Sequence, residues 1–144
     1  MRWRALRAAA SQLGLGVRRL GPGVPTVRGG GDAALEWSQH QSSSVIAYND
    51  QMALGFIRTL QKRGIRVPDD VSVLGFGNSH GSGMVTPALT TVEAPLYALG
   101  STAVSNLLAF ARGAHSQSGQ PLVLPTRLIV RGSTLAPARL RALK

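Results

Sequence analysis

Two short clusters hold the side chains best suited to grip a small polar molecule: Asn49-Asp50 and Gly77-Asn78. The Asn49 amide donates and accepts together, which suits the hydroxyls of a sugar. Either Asn49 or Asp50 can also cap a helix, and capping needs only one of them. No motif for bond-breaking chemistry accompanies them. The sequence has no H-E-x-x-H, G-x-S-x-G or Walker pattern. His40, His80 and His115 are isolated in predicted loops and read as surface residues. Asp69-Asp70 beside Pro68 reads as a turn before a strand rather than an acid/base pair. The glycines from Gly75 to Gly83 resemble a phosphate loop only loosely. A helix should start there, and Pro87 and the spacing argue against one. No catalytic residue, metal ligand set or cofactor is expected, and with no cysteine there is no disulfide or thiolate site.

Both clusters gain meaning from the elements that carry them. Val45 to Tyr48 is a short, mostly apolar run that suits a buried strand. Asn49-Asp50 then starts a helix whose Met52, Ala53, Phe56, Ile57 and Leu60 share one face. Gly64 ends it, Pro68 blocks its resumption, and Val71 to Phe76 is a second buried strand. A strand, crossover helix and strand of this length make a right-handed parallel unit. Ligands of open parallel sheets bind outside the carboxyl ends of strands, where Asn49, Asp50, Gly77 and Asn78 all fall.

The stretch IAYNDQMALGFIRTLQKRGIRVPDDVSVLGF, then TPALTTVEAP, LYALG and RGSTLAP, resembles the effector-sensing core of LacI/GalR-family transcriptional regulators. The four blocks occur in the family's order and cover residues 44 to 137, with a looser likeness over 1 to 43. The resemblance implies an α/β fold: a parallel-sheet α/β/α sandwich of the type I periplasmic-binding-protein kind, holding the second sensor subdomain with fragments of the first. It implies residues 1–95 as the carboxyl-terminal sensor subdomain and 96–126 as a helix and strand of the other subdomain. Residues 127–144 would be a returning crossing strand and tail.

The same resemblance places Asn49 in the effector cleft. Gly77 stands where relatives carry an Asp, and Ala94 where they carry a Gln, so Asn78 would have to supply the missing polar contact. The helix at 51–63 and the stretch 79–86 match the region by which relatives dimerise, which points to Met52, Phe56 and Met84. The implied partners are a small-molecule effector such as a sugar or nucleoside, a second copy of the chain, and DNA only through a domain absent from this chain. Such a repressor-like, non-enzymatic sensor would be cytoplasmic. Two alternatives compete: a stand-alone periplasmic-type sugar-binding protein, which would want a secretory signal, and a small enzyme on a doubly wound scaffold.

Composition sets the outer limits. At 144 residues and 44% hydrophobic, the chain makes at most one ordinary domain with a real core. No apolar run reaches the roughly 18 residues of a membrane span. The net charge is +10, and the first 30 residues hold six Arg and no acid. Such a balance attracts polyanions without reading sequence, and a solvated face is the plainer explanation.

Elsewhere the periodicity predicts an amphipathic helix over 3–13, with Trp3, Leu6, Ala10 and Leu13 on one face. Its Arg-rich, acid-free character also fits a transit peptide, against a core-packing helix of the sensor. A short strand is expected over Val17 to Leu20, a loop over 21–31, and a helix from Ala33 to Trp37 capped by Asp32. An extended segment is expected over Leu89 to Val92 and a long helix over Leu96 to Arg112. Strands are expected over Leu122 to Leu124 and Arg127 to Arg131, and a frayed end after Ala138. The long helix would expose an apolar face where the rest of the first subdomain is missing.

Overall fold

A computed structural model describes residues 2–113 and 123–136. His115, Leu122 and the tail from Ala138 lie outside these. The elements run α1 (Arg2–Gln12), α2 (Val27–Gln39), β1 (Ser44–Ile46), α3 (Asp50–Lys62), β2 (Ser72–Phe76), a 3-10 turn (His80–Gly83), β3 (Thr90–Glu93), α4 (Leu96–Ala111) and β4 (Arg127–Ile129).

One sheet has the order β1-β2-β3-β4. The pairs β1–β2 and β2–β3 are parallel, and β4 closes the sheet antiparallel to β3. The fold is therefore mixed α/β with a parallel-dominated sheet, as expected. Ser44 pairs with Ser72 and Ile46 with Leu74. One further bond, from the Ala47 N–H to the Leu74 carbonyl at 2.8 Å, continues the pairing just past β1. Beyond β4 the chain crosses to β2: Val73 N–H donates to the Ser133 carbonyl at 2.8 Å, and Ser133 Oγ donates to the Val73 carbonyl at 2.6 Å.

The core lies between the sheet and the α2–α3 pair. Val73 and Leu89 meet Ala53, Phe56, Ile57 and Leu60 of α3, with Ala34 and Trp37 of α2 behind them. The Trp37 and Phe56 rings meet edge to face, with centroids 5.8 Å apart.

Several expectations fail for physical reasons. Helix α2 begins at Val27, capped by Thr26, and runs through Gly29, Gly30 and Gly31. These glycines were expected in a loop because each costs about 1 kcal/mol in a helix. Gly29 is needed against the Val24 backbone, and Gly30 because α2 and α3 lie almost backbone to backbone. A Cβ on Gly30 would strike the Met52 carbonyl, and one on Gly55 the Val27 carbonyl. Tertiary packing overrides propensity here. No strand forms over 17–20. Arg18 reaches the His40 carbonyl at 2.7 Å and the Gly21 N–H reaches Glu36, so the segment is tied by side chains rather than by a ladder. Val123 and Leu124 are not strand either.

Phe56 must also be reassigned. It is 2% exposed, inside the core of a single chain, and cannot form part of a dimer surface. Met52 is half-buried, with its methyl group against Gly23, whereas Met84 is 84% exposed. Helix α4 has no buried residue. Leu96, Leu99, Leu107 and Phe110 all face outward.

Candidate functional site

The carboxyl ends of the neighbouring parallel strands β1 and β2 lie at the same edge of the sheet. Strand β1 stops where Asn49 turns into α3. Asn49 Oδ1 accepts from the Met52 N–H at 2.8 Å, so the capping role is taken. Its Nδ2 donates to the Pro25 carbonyl at 3.0 Å, tying the mouth to the loop before α2. A primary amide can make four hydrogen bonds, so each end of Asn49 keeps one position for another partner.

Strand β2 is followed by Gly77-Asn78, both with positive φ, +130° and +52°. The turn aims the Asn78 amide at the β3–β4 joint. Its Nδ2 donates to Glu93 Oε1 at 2.7 Å, and Arg131 Nη2 donates to its Oδ1 at 2.7 Å. Arg127 adds two bonds to the other Glu93 oxygen, at 2.8 and 3.1 Å. The Asn78 and Arg127 donors together hold the Glu93 carboxyl below its ordinary range. Asn78 is thus a bridge across three strands, with spare capacity at each end.

Asp50 does not belong to the ligand set. It is 2% exposed, and its oxygens are claimed from within. Oδ2 accepts from the Ser79 N–H at 2.7 Å and Ser82 Oγ at 2.6 Å, and Oδ1 accepts from Thr91 Oγ1 at 2.6 Å. Burial pushes this carboxyl up, but the donors from Ser82, Thr91 and Ser79 outweigh it, and the group titrates below the usual aspartate value. Its place is structural, beneath the mouth.

Three residues at the mouth escaped the sequence reading. The Arg2 guanidinium lies 4.3 Å from the centroids of both the Tyr48 and the Phe76 rings, between the ends of β1 and β2. Arg2 Nη1 donates to the Tyr48 carbonyl at 2.8 Å. Stacking of this kind holds a guanidinium flat and leaves its remaining N–H donors on the edge. No carboxylate pairs with Arg2 among the described residues. Nothing in the spacing of Arg2, Arg4 and Arg7 distinguishes Arg2. The signal lies 46 residues away, at Tyr48.

The mouth thus combines a stacked cation, two amides with spare hydrogen-bond positions, and two aromatic edges. That set can hold a neutral or acceptor-rich polar molecule. It contains no nucleophile with a base. Among the described residues no group of His, Cys, Asp and Glu could hold a metal. His40 and His80 sit on exposed turns. Asp69 and Asp70 form the expected turn, with Asp70 accepting from the Arg66 backbone and guanidinium. A shallow depression of about 420 Å³ lies at the opposite, amino ends of β1 and β2, lined by Trp37, Ser42, Gly64 and Asp70. Ser42 is already engaged with Trp37 Nε1 and the Ser44 carbonyl.

Comparison with known proteins agrees with the fold. The family model described as a periplasmic binding protein-like domain matches residues 1–134. The NTD biosynthesis operon regulator NtdR of Bacillus subtilis is 39% identical over 92 residues, which are 64% of this chain and 28% of that one. The crystal structure of a LacI-type transcription regulator from Bifidobacterium animalis subsp. lactis superposes with a TM-score of 0.82 at 30% identity, over 90% of this chain and 48% of that one. A LacI family transcriptional regulator from Enterococcus faecium, solved with bound ribose, gives a TM-score of 0.72 at 30% identity, over 78% of this chain and 42% of that one. The chain spans less than a third of the curated relative and about half of each solved chain.

Proposed function

The chain belongs to the LacI/GalR type of the periplasmic binding protein-like domain family, and from that premise we propose that it is the ligand-sensing part of a transcriptional regulator that works as a dimer. The feature that supports this is that Asn49, Asn78 and the stacked Arg2 all lie at the carboxyl ends of the neighbouring parallel strands β1 and β2. A small polar effector sits there, held by the Arg2 edge and the free positions of the two amides. Closure of the surrounding cleft around it changes the geometry of the dimer, and through that the affinity for DNA. Met84 and the stretch around it supply the surface against the second copy, and Met52 steadies that side from within. DNA is contacted by another part of such a regulator.

The exposed face of α4 supports assigning residues 96–126 to the other lobe of the sensor, with 1–95 and the returning β4 segment forming this one. The reading as a stand-alone sugar-binding protein is not favoured, because the relatives found are regulators. Those relatives give no support to an enzymatic role. No helix among the described residues is long and apolar enough to cross a membrane.

The ribose in the Enterococcus faecium regulator makes pentoses and nucleosides the first effectors to try. A thermal-shift panel of ribose, other sugars and nucleosides tests the reading. At least one compound raises the melting temperature by mass action, and Arg2→Ala abolishes the rise. A rise that persists in Arg2→Ala, or none with any compound, counts against it.

A further inference from the structure

Asp50 has an uncommon position. It is a fully buried carboxylate with no cation beside it among the described residues, satisfied by three neutral donors. Two donors come from the segment 79–82, and the third from β3. The end of β2 is built around it: a Cβ on Gly75 would collide with Asp50 Oδ1 and with Leu89, and Gly77 passes close to Oδ2. Beyond the bonds of Asn78 to Thr91, Glu93 and Arg131, the chain from Ser79 to Met84 has few other ties, one of them local, from the Ser82 N–H to the Ser79 carbonyl at 2.9 Å. Leu89 N–H donates to the Ser82 carbonyl at 2.7 Å, Met84 N–H to the Gly81 carbonyl at 3.2 Å, and Ser79 Oγ lies 3.0 Å from Ser82 Oγ.

We infer that Asp50 is a positioning residue that locks the 79–84 segment to the mouth, so that the exposed loop carrying Met84 moves with the effector contacts rather than independently of them. The reasoning is geometric. Asp50 follows Asn49 directly at the start of α3, so the mouth amide and the carboxylate share one rigid helix turn. Its Oδ2 then holds both the backbone of Ser79, one residue beyond Asn78, and the side chain of Ser82, two residues before Met84, while Oδ1 anchors the carboxylate to Thr91 of β3. A displacement at the mouth reaches the outer loop through these bonds. A carboxylate is needed because all three neighbours donate. An asparagine would aim an N–H₂ group at one of them and leave a buried donor unpaired. The significance of the coupling rests on the proposed role of the mouth, but the lock itself does not, and its test uses no effector.

Hydrogen exchange of the full chain, read by mass spectrometry, compares the wild type with Asp50→Asn and with Ser82→Ala. Phe56→Leu serves as a control that loosens the core without touching the lock. In Asp50→Asn the amides of 79–84 exchange at least tenfold faster while those of α2 and α3 keep wild-type rates. Ser82→Ala, which removes one donor and should fold in any case, gives a smaller, several-fold rise in the same segment. Unchanged exchange at 79–84 in Ser82→Ala overturns the inference. So does a rise spread evenly over the core, as Phe56→Leu is expected to give. If the loop loosens as stated but no effector is ever found, the lock stands and the sensing role falls.

Discussion

Asn78 Nδ2 and Glu93 Oε1 lie 2.7 Å apart, joining the end of β2 to the end of β3 across the mouth. Glu93 is also gripped by Arg127, so one carboxylate gathers donors from the turn after β2 and from β4. Its carboxyl is held low first by Asn78 and then by Arg127. The bonds that favour the charged form are therefore present above the ordinary glutamate value and are lost as pH falls through the depressed folded value. Asn78→Ala should move the Glu93 titration back up toward the model-peptide range, followed by carboxyl-carbon NMR. A titration that does not move would show that the amide contributes nothing to this carboxylate.

Ser133 carries more of the fold than its size suggests. It accepts from the Thr90 N–H at 2.8 Å, donates to the Val73 carbonyl, and is fully buried. Ser133→Ala leaves both of those backbone groups unpaired and should cost about 1–3 kcal/mol in chemical denaturation. Loss of less than about 0.5 kcal/mol would place the segment after β4 outside the cooperative fold.

The architecture was legible in the sequence where one local signal sufficed. The apolar runs at 45–48 and 71–76, the apolar face of 52–60 and a cap at Asn49 or Asp50 predicted β1, α3 and β2 with the parallel pairing observed, although β1 is not buried as expected, with Ile46 and Tyr48 exposed. Where the outcome depends on a distant neighbour, reading failed. Gly30 sits in a helix because α3 comes close enough to need it, and Gly29 because the Val24 backbone does. Phe56 and Asp50 were given to surfaces, yet Trp37 and the 79–91 segment enclose them. Arg2 was one arginine of six in an acid-free stretch until Tyr48 and Phe76 came to lie on either side of it.

The same close approach makes a stability prediction. Gly30→Ala puts a methyl group into the Met52 carbonyl and must push α2 off α3. The expected loss is about 1–3 kcal/mol, despite alanine's higher helix propensity. If the variant proves more stable, the helix contact is looser than the geometry requires.

Met84, not Phe56, is the residue with which to test self-association. Met84→Arg adds a charge to a side chain that is already exposed, and should weaken dimerisation in sedimentation experiments while leaving the melting temperature of the monomer unchanged. Phe56→Ala should instead cost about 3–5 kcal/mol by opening a cavity beside Trp37. Equal sedimentation of Met84→Arg and the wild type at all concentrations would remove this stretch from the interface.

Helix α4 presents Leu99, Val104, Leu107, Leu108 and Phe110 to solvent with no charged residue along its length. Apolar patches beyond a few hundred Å² drive association. The isolated chain should therefore bind a hydrophobic dye and form species larger than a dimer, and Leu107→Glu with Phe110→Glu should suppress both. A dye-silent monomer at high concentration would mean that this face is covered.

The central claim is that the ends of β1 and β2 form the effector site. The most direct measurement is amide chemical-shift mapping of the protein with ribose and with nucleosides. The account predicts saturable shifts concentrated at Tyr48, Asn49 and Phe76 to Asn78, absent in Arg2→Ala. Saturable shifts confined to the amino ends of the strands, around Ser43, Gly64 and Asp70, would contradict it.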